Sequence, residues 1–438
     1  MRRRDFLKAV PAAVAAISAG PRLLGDQIGG KIKITDIRIV RLKLIKDLGP
    51  FTGFMGPWDT SNVRIGGGSV IEIQTDQGLT GIGPAIDPVQ LPSLKSQLVG
   101  EDVFNLQFLI ANLREWTGMG TARRLASRPG ALAEAGQGGN ISMNLTAAGG
   151  RGGPTSSDRA FAAVEIAMWD IIGKASNQPL YKLWGPAKEQ VAPYASQSRL
   201  STPEERADFA AQIKSKGWRG IKFRAHFPTM KEDIRLVEAT RKTVGDDFDI
   251  MCDANQATNG PFTPTVTWDF RRAVETARAY QALNVYWLEE PLRRYDFDHL
   301  AELNRLVEIP IAGGEGNRGL HEFRWLLEKG CFDIIQPETL LEGPLEVRKI
   351  AVIAESMDKV IAPHLGDGMV ATICNLHLIA SFPNSPYIEI THDLPLRDYS
   401  NGFQIFEEAP VLTKDGYLPL PQKPGLGVSI KKDLILPG

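Results

Sequence analysis

Three acidic residues stand where three consecutive apolar segments end. They are Asp253, Glu289 and Glu315, at the ends of segments 248–253, 285–289 and 310–315. If these segments are adjacent strands, they lie about 4.8 Å apart, so the three carboxylates crowd together and repel one another. A hard divalent cation relieves that repulsion, and ligands made only of oxygen favour Mg²⁺ over zinc. The pattern therefore predicts that these side chains hold one magnesium ion.

Basic side chains alternate along the preceding segment. Lys222, Arg224 and His226 fall on one face of it, because successive side chains of a strand point in opposite directions. Beside a metal site, Lys222 and Arg224 would bind and neutralise an anionic substrate. The alternative is that they are solvated charges at an exposed strand end. His226, and Asn255 two residues beyond Asp253, are assigned to substrate binding.

A carboxylate and an imidazole end two later segments. Glu338 follows segment 332–336, and His364 ends segment 359–364. On neighbouring strands a carboxylate can fix the imidazole tautomer and raise its pKa, which makes His364 a candidate general base or acid. A purely structural histidine is the alternative. With a metal and Lys222 stabilising a developing enediolate, the set predicts abstraction of the proton next to a substrate carboxylate.

The elements that must position these residues alternate between strand and helix. Eight apolar strands are predicted near 190–196, 219–224, 248–253, 285–289, 310–315, 332–336, 359–364 and 387–391. Most gaps between them hold an amphipathic helix, for instance 203–216 and 344–357. Such alternation predicts a parallel sheet covered on both faces, and eight units predict an α/β fold of the (β/α)₈-type over residues 158–400. A doubly wound open sheet is the alternative, but no glycine-rich phosphate loop follows an early strand.

A smaller α+β domain is predicted before the barrel, over residues 29–157. Its elements are a half-buried strand at 31–46, an antiparallel meander through 69–83, helices around 91–98 and 103–116, and a glycine-rich loop at 117–157. A loop of that length is usually functional or disordered. It is expected to be a lid or a contact between subunits.

Composition and charge exclude several classes of protein. The 438 residues include 50 basic and 51 acidic ones, so no nucleic-acid partner is expected. Three scattered cysteines predict neither a disulfide framework nor a zinc site.

The N-terminal residues 1–28 differ from the rest of the chain. They hold an Arg-Arg-x-Phe-Leu-Lys pattern followed by a short run of small apolar residues. This predicts a twin-arginine export signal and a location in the periplasm or cell envelope. The alternative is a disordered basic tail on a cytoplasmic protein. No other segment approaches ~20 uninterrupted apolar residues, so no membrane span is expected in the mature protein.

The chain resembles the enolase superfamily, in its mandelate racemase/muconate-lactonising branch, from about residue 31 to 430. The motifs that carry the resemblance are AVEIAMWDIIGKASNQPLYKLWG (163–185), IMCDANQ (250–256), WLEEP (287–291), GGE (313–315) and APHLGDG (362–368). The resemblance implies a modified TIM barrel, with an N-terminal domain that caps the substrate pocket and is completed by residues 401–438. It also implies Asp253, Glu289 and Glu315 as Mg²⁺ ligands, a small-molecule carboxylate as substrate, and a homo-oligomer.

Two residues depart from the pattern of that family. Arg224 stands where a second lysine often serves as a base, and arginine keeps its proton. Glu338 stands where an aspartate usually accompanies the histidine. With His364 as the evident base, we expect a dehydratase acting on an aldonate or aldarate, since one histidine can remove the α-proton and then protonate a departing β-hydroxyl on the same face. The alternatives are a racemase, epimerase or cycloisomerase with a second base, and a non-catalytic carboxylate-binding protein of the cell envelope.

Two further residues are assigned to the substrate pocket. Glu389, in the eighth predicted strand, matches a residue that in the family binds the substrate carboxylate or the enediolate oxygen. Trp58 lies with Phe54 in loop 50–64, which in the family closes over the substrate and excludes water. Packing of these rings against the barrel rim is the alternative.

Overall fold

The structure is a computed structural model that describes residues 30–116, 156–258, 266–364 and 369–437. The predicted export signal (1–28) and nearly all of the predicted glycine-rich loop (117–155) lie outside these residues. So do 365–368 of the APHLGDG motif and the side chain of Trp58.

The described chain contains strands and helices in the following order. The strands are β1 Ile34–Arg41, β2 Leu44–Thr52, β3 Thr60–Gly66, β4 Ser69–Thr75, β5 Thr80–Gly83, β6 Gln190–Ser196, β7 Gly220–Arg224, β8 Asp249–Asp253, β9 Trp287–Glu289, β10 Ile311–Gly313, β11 Ile334–Ile335, β12 Val360–Ile361, β13 Tyr387–Thr391 and β14 Leu418–Pro419. The helices are α1 Leu91–Leu98, α2 Leu106–Trp116, α3 Ser156–Ala175, α4 Leu180–Trp184, α5 Pro203–Ser215, α6 Met230–Val244, α7 Phe270–Ala282, α8 Phe297–Leu306, α9 Gly319–Glu328, α10 Thr339–Ser356, α11 Met369–Ala380 and α12 Tyr399–Phe403.

The strands from β6 to β13 form one curled sheet. They are hydrogen-bonded in the order β12-β11-β10-β9-β8-β7-β6-β13, and all of these pairs are parallel. The last strand is therefore a neighbour of the first, as in a closed (β/α)₈ barrel. Among the described residues no ladder joins β12 to β13; the Ile361 amide instead donates to the Asn384 carbonyl at 3.1 Å. The predicted barrel with its α/β alternation is confirmed.

The interior of the barrel is filled directly below the strand ends. Met251, Trp287 and Tyr387 belong to one buried cluster there. Each lies two residues before an acidic residue: Asp253, Glu289 or Glu389. Since strand side chains alternate between faces, the three acids point to the same interior, one layer nearer to the mouth. The apolar residues between them, such as Cys252 and Leu288, pack against the surrounding helices.

The N-terminal part differs from the sequence-based expectation at 31–46. This stretch is two strands, because Leu42 and Lys43 leave the first sheet: the Lys43 amide donates to the Leu434 carbonyl at 2.7 Å, and Leu42 forms a bridge with Ile435. β1 joins β4 and β5 in an antiparallel sheet, whereas the pairing partner of β2 among the described strands is β3. Loop 50–64 is therefore mostly a hairpin, and its tip carries a short 3₁₀ turn at Gly56–Asp59.

Helix α3 joins the two parts of the molecule. It packs against the β1-β4-β5 sheet in a buried cluster with α1 and α2. The approach is close: a Cβ atom at Gly81 would lie 2.0 Å from the Ala167 carbonyl oxygen, and one at Gly83 2.2 Å from that of Ala163. Only glycine permits such contact between helix and strand backbones. Within the described residues, no helix has both the length and the apolar character needed to cross a membrane.

Candidate metal centre and active site

The three predicted metal ligands lie at the mouth of the barrel. Asp253 and Glu289 end the adjacent strands β8 and β9 and are paired in register, and Glu315 lies two residues beyond β10. Asp253 and Glu289 are buried, with 0% and 1% of their surface exposed, and Glu315 is partly exposed. Parallel strands end at the same rim, so the fold brings the three carboxylates to neighbouring positions.

Lys222 lies among the buried carboxylates of the mouth. Its Nζ is 2.7 Å from Glu289 Oε1, 3.0 Å from Glu389 Oε1 and 3.9 Å from Asp253 Oδ2. The side chain is fully buried, and its ammonium also lies 5.6 Å from the centre of the Tyr194 ring. A buried ammonium is stable only with such partners. Lys222 therefore offsets the negative charge at the centre of the mouth.

Arg224 binds the first metal-ligand candidate. Its Nη1 donates to Asp253 Oδ2 and, at 3.3 Å, to Asn255 Oδ1, and its Nε donates to the Gln197 carbonyl at 3.2 Å. Asn255, at a left-handed φ of 48°, donates its backbone amide to Asp253 Oδ1 at 2.8 Å and its side-chain amide to Oδ2 at 2.9 Å. In this structure Asn255 thus orients Asp253.

His364 and Glu338 form a direct pair. Nδ1 of His364 lies 2.7 Å from Glu338 Oε2, while Nε2 lies 3.0 Å from Glu315 Oε2 and 3.9 Å from Glu389 Oε2. The predicted contact between β11 and β12 is thus present in the structure. A ring nitrogen held on the far side by a carboxylate leaves the other nitrogen facing the mouth, which is the geometry that a general acid or base requires.

The ionisable side chains of the mouth shift one another's pKa values. Burial opposes protonation of His364, but Glu315, Glu389 and Glu338 together raise its pKa well above the usual range. Burial would raise the pKa of Glu315, but the charge and hydrogen bond of His364 lower it to about 2. Against burial, Lys222 and His364 also lower the pKa of Glu389. A substrate carboxylate bound here would lie close to both positively and negatively charged side chains that the fold already holds in place.

Glu289 has two neutral partners that sequence reasoning did not identify. Trp287 Nε1 donates to Glu289 Oε2 at 3.1 Å, and Gln336 Nε2 donates to the same oxygen at 2.8 Å. Both residues are buried. Trp287 lies two positions before Glu289, and Gln336 two before Glu338. Because residues two apart in a strand share a face, this spacing was the sequence signal that could have placed them beside the acidic residues.

Glu290 does not leave the site, contrary to the alternation expected of a continuing strand. Strand β9 ends at Glu289, and Glu290 has a left-handed φ of 45°. It is 2% exposed, and neither of its carboxylate oxygens has a hydrogen-bond partner among the described residues. Burial and the nearby charge of Glu315 raise the pKa of Glu290 to about 8. The WLEEP motif therefore places two carboxylates in the mouth.

His226 lies past the end of β7 and is not joined to the carboxylate group by the contacts of the described residues. Its ring contacts Phe227 with centroids 4.2 Å apart, and burial together with the charge of Arg206 lowers its pKa to about 4. Strand β7 ends at Arg224. The alternation that was expected to place His226 on the same face as Lys222 and Arg224 therefore does not extend to His226. For Trp58 the side chain lies outside the described residues, whereas the ring of its neighbour Phe54 is 5.8 Å from the Arg224 guanidinium.

The donor set fits a hard divalent cation by its chemistry. No three described His, Cys, Asp or Glu side chains are arranged to enclose an ion as they stand, and the three carboxylates are paired with basic groups instead. However, the mouth also holds the carboxyl group of Glu290, whose two oxygens have no hydrogen-bond partner in the part of the chain that the structure describes. Buried oxygens that exceed the available donors favour a cation with oxygen ligands. Asp253, Glu289 and Glu315 are the residues that would hold it.

A family described as Enolase C-terminal domain-like matches residues 205–434 of the chain, which is more than half of it. The chain belongs to the enolase superfamily. The resemblance noted in the sequence motifs is thereby confirmed, and it extends to the mandelate racemase group through the named relatives and structural neighbours.

Named relatives within this superfamily differ in the reactions they catalyse. Arabinonate dehydratase from Saccharolobus solfataricus is 33% identical over 62% of this chain and 69% of its own length. 3,6-anhydro-alpha-L-galactonate cycloisomerase from Streptomyces coelicolor is 31% identical over 64% of this chain and 71% of its own length. An N-succinyl-L-Arg/Lys racemase from Bacillus cereus is 28% identical over 63% of this chain and 70% of its own length. The superfamily member described here thus has dehydratase, cycloisomerase and racemase relatives.

A solved structure shares the fold over nearly the whole chain. D-glucarate dehydratase from Agrobacterium tumefaciens, complexed with magnesium, superposes with a TM-score of 0.71 and covers 92% of this chain and 97% of its own. At 23% identity this likeness shows the fold, and it places this enolase-superfamily chain among barrels with an N-terminal cap domain.

Proposed function

We propose that this enolase-superfamily member is a Mg²⁺-dependent dehydratase, which converts a sugar acid (an aldonate or aldarate) to a 2-keto-3-deoxy acid. The observation that carries the proposal is the asymmetry of the mouth. One side holds an imidazole backed by a carboxylate, with His364 Nδ1 2.7 Å from Glu338. The other side holds Arg224, bound to Asp253. Of these two groups, the imidazole can exchange a proton near neutral pH, whereas the guanidinium keeps its proton.

The chain's own residues supply most of the proposed mechanism. Bound Mg²⁺ would act as a Lewis acid that makes the α-proton more acidic. Lys222, fixed between Glu289 and Glu389, places a positive charge where the enediolate develops. Nε2 of His364 takes the α-proton, while Glu338 holds Nδ1 and stabilises the imidazolium. The imidazolium then donates the proton to the departing β-hydroxyl.

The position of Glu315 defines when His364 can act. In this structure Nε2 is occupied by Glu315 Oε2 at 3.0 Å. Proton abstraction requires Glu315 to be engaged elsewhere, and its role as a metal-ligand candidate provides that alternative. In this proposal, Glu315 leaves Nε2 of His364 when it becomes a ligand of the cation. Without the cation, Glu315 remains on Nε2, and His364 cannot act as a base.

A racemase or cycloisomerase is the second candidate, favoured by the named relatives of those classes. A racemase needs a proton-transfer group on each face of the substrate. The group opposite His364 in this mouth is a guanidinium, which keeps its proton, so racemisation would need a base that the described geometry does not display. A non-catalytic carboxylate-binding protein is the remaining alternative.

One experiment distinguishes the three candidate functions, which are a dehydratase, a racemase or cycloisomerase, and a non-catalytic binding protein. The purified protein is incubated with Mg²⁺ and a library of sugar acids in D₂O, and both 2-keto acid formation and α-deuterium incorporation are measured. Keto acid supports dehydration. Deuterium incorporation with inversion and no keto acid would establish a racemase. Binding without turnover or exchange, across the library, would favour the binding protein.

Export through the twin-arginine route and assembly into a homo-oligomer are part of the proposal. The export signal is tested by replacing Arg3 and Arg4 with lysine and following the protein by cell fractionation. Retention of the variant in the cytoplasm, with export of the parent chain, is expected. Equal export of both chains would exclude the twin-arginine route, and a parent chain found in the cytoplasm would assign the protein there. Sedimentation analysis of the purified protein tests the oligomeric state.

A further inference from the structure

Two buried side chains of the barrel interior share one oxygen of Glu289. Trp287 Nε1 donates to Oε2 at 3.1 Å, and Gln336 Nε2 donates to the same oxygen at 2.8 Å. The other oxygen, Oε1, accepts from Lys222 Nζ at 2.7 Å. This metal-ligand candidate is therefore held by two neutral donors on one oxygen and by one charged donor on the other.

The fold fixes both neutral donors. Trp287 precedes Glu289 by two residues on β9, and its ring packs against two tyrosine rings whose centroids lie 5.3 and 5.4 Å away. Gln336 directly follows β11, which is separated from β9 by β10. The β10 residue paired with Glu289 is Ala312, whose methyl group leaves room for the amide of Gln336 to cross to β9.

Gln336 is buried at a cost to stability. It is 1% exposed, and its Oε1 has no hydrogen-bond partner within the described part of the chain. Burying an unpaired amide oxygen destabilises a fold, and an apolar side chain of similar length would avoid that cost. The contact that the glutamine amide adds here is the one from Nε2 to Glu289.

These donors determine how many oxygens Glu289 can offer to a cation. A carboxylate oxygen has two lone pairs, and the two N–H donors occupy both of those on Oε2. Among the described residues the donor to Oε1 is Lys222 alone, so one lone pair of Oε1 is available. Glu289 can therefore coordinate a cation through Oε1, but it cannot use both oxygens without losing a hydrogen bond from Trp287 or Gln336.

Asp253 has the same arrangement. Its Oδ2 accepts from Asn255 Nδ2 at 2.9 Å and from Arg224 Nη1, and its Oδ1 accepts from the Asn255 backbone amide at 2.8 Å. One oxygen is again saturated, and the other keeps one lone pair. Glu315 carries fewer donors: within the described chain, His364 Nε2 lies 3.0 Å from its Oε2.

Divalent cations differ in how they use carboxylates. Mg²⁺ demands octahedral coordination and keeps several of its waters, so a single oxygen from each carboxylate suits it. Ca²⁺ is larger, takes about six to eight oxygens and accepts carboxylates that offer both of theirs. Saturating one oxygen of Asp253 and one of Glu289 therefore disfavours Ca²⁺ more than Mg²⁺.

We propose that Trp287 and Gln336 are positioning residues that restrict Glu289 to one coordinating oxygen and thereby make the metal centre selective for Mg²⁺ over Ca²⁺. The inference rests on the metal site of the proposed function and does not depend on which reaction follows. It assigns the selection to two buried donors that do not themselves coordinate the cation.

The test measures the binding of Mg²⁺ and of Ca²⁺ to the purified protein by calorimetry. Gln336→Met removes the amide donor from Oε2 at nearly constant volume, and Trp287→Phe removes the indole donor but keeps an aromatic ring. We expect the ratio of Mg²⁺ affinity to Ca²⁺ affinity to fall about 10-fold in each variant, the lower range for a group that supports a metal ligand, and further in the double variant. A crystal structure of Gln336→Met with Ca²⁺ should show both Glu289 oxygens on the ion.

The matched controls are Gln90→Met and Trp184→Phe. Gln90 Nε2 and Trp184 Nε1 are buried and have no hydrogen-bond partner in the described part of the chain. Gln90 ends a turn of the N-terminal domain and Trp184 ends helix α4, so neither belongs to the mouth. Both variants should keep the parent affinity ratio.

Three results would overturn the inference. An equal loss of affinity for both cations in Gln336→Met and Trp287→Phe would show a structural role alone. Ca²⁺ held through a single Glu289 oxygen in Gln336→Met would contradict the restriction of that carboxylate. If the parent protein binds neither cation, the metal site of the proposed function fails as well. A shifted affinity ratio supports the inference even if the enzyme proves to be a racemase.

Discussion

Glu338 uses its two carboxylate oxygens for two different partners. Oε2 lies 2.7 Å from Nδ1 of His364, and Oε1 accepts the Leu340 amide at 2.8 Å at the start of helix α10. The residue thus caps the helix and orients the imidazole at the same time. The Thr339 hydroxyl, next in sequence, donates to Asn375, whose amide donates to the His364 carbonyl at 3.3 Å.

Replacing the imidazole tests the proposed base. We expect His364→Asn to lose turnover by about 10²–10⁴-fold, the usual contribution of a general acid or base, and to lose α-deuterium exchange equally. Mg²⁺ binding should persist, because the three carboxylates remain. His299→Asn, which removes an exposed histidine paired with Asp296, should retain parent activity. Full exchange in His364→Asn would remove this residue as the base.

Replacing Glu338 separates its two tasks. Glu338→Gln keeps an oxygen for the Leu340 amide but removes the charge that helps to raise the pKa of His364. We expect kcat to fall at least about 10-fold and the acidic limb of its pH profile to move to lower pH, with little change in thermal stability. Glu338→Ala should also lose about 1 kcal/mol of stability through the missing cap. An unshifted pH profile in Glu338→Gln would argue against the pairing.

Metal binding should depend on the buried carboxylates. Asp253→Asn and Glu289→Gln each remove a charged ligand from the proposed site, and we expect Mg²⁺ affinity, measured by calorimetry, to fall by 100-fold or more. This corresponds to about 3 kcal/mol. Asp298→Asn, at a position whose side chain is 92% exposed, should bind Mg²⁺ like the parent. Chelation should abolish turnover and added Mg²⁺ restore it; chelator-resistant activity would exclude the metal.

Two buried acids near α10 predict how stability depends on pH. Burial raises the pKa of Glu165 to about 7 despite Arg114, and likewise that of Glu342 to about 7. A raised pKa stabilises the fold below the unfolded value near 4.5, and this contribution is lost as pH rises through 7. Thermal stability should therefore fall between pH 4.5 and 7, and the slope should weaken in Glu165→Gln. Glu355→Gln, exposed on the same helix, should keep it; an unchanged slope in Glu165→Gln would refute the assignment.

A glycine pair isolates the contact at the kink of α10. Gly343 and Gly330 have similar left-handed φ values, 70° and 69°, but a Cβ at Gly343 would lie 2.2 Å from Glu165 Oε2, whereas one at Gly330 meets nothing within 4 Å. We expect Gly330→Ala to cost about 1 kcal/mol from backbone strain and Gly343→Ala clearly more, as measured by denaturant unfolding. Equal costs would mean that Glu165 moves freely.

Much of the barrel could be read from the chain because its signals are local. Asp253 and Glu289 end apolar strands, and parallel strands bring their ends to one rim, so their proximity follows from spacing alone. The pairing of Glu338 with His364 was predicted by the same reasoning. The neighbours Trp287 and Gln336 carried the same period of two but no charge, so nothing set them apart from core residues.

Other features depend on contacts between distant segments. The break at residues 42–43 is made by the amide and carbonyl partners at 434–435, which no periodicity within 31–46 reveals. Glu290 stays in the mouth because its backbone turns left-handed after Glu289, a conformation that alternation does not anticipate.

The pairing of residues 41–43 with 434–436 has a consequence for synthesis of the chain. The Leu436 amide donates to the Arg41 carbonyl at 2.9 Å, and Lys43 to Leu434 at 2.7 Å. On the ribosome, the first domain is made early but must wait for these partners until the whole barrel has emerged. These hydrogen bonds can form only after the C-terminal segment has been synthesised. In a nascent or prematurely terminated polypeptide, the backbone between β1 and β2 is therefore unpaired and exposed to other chains.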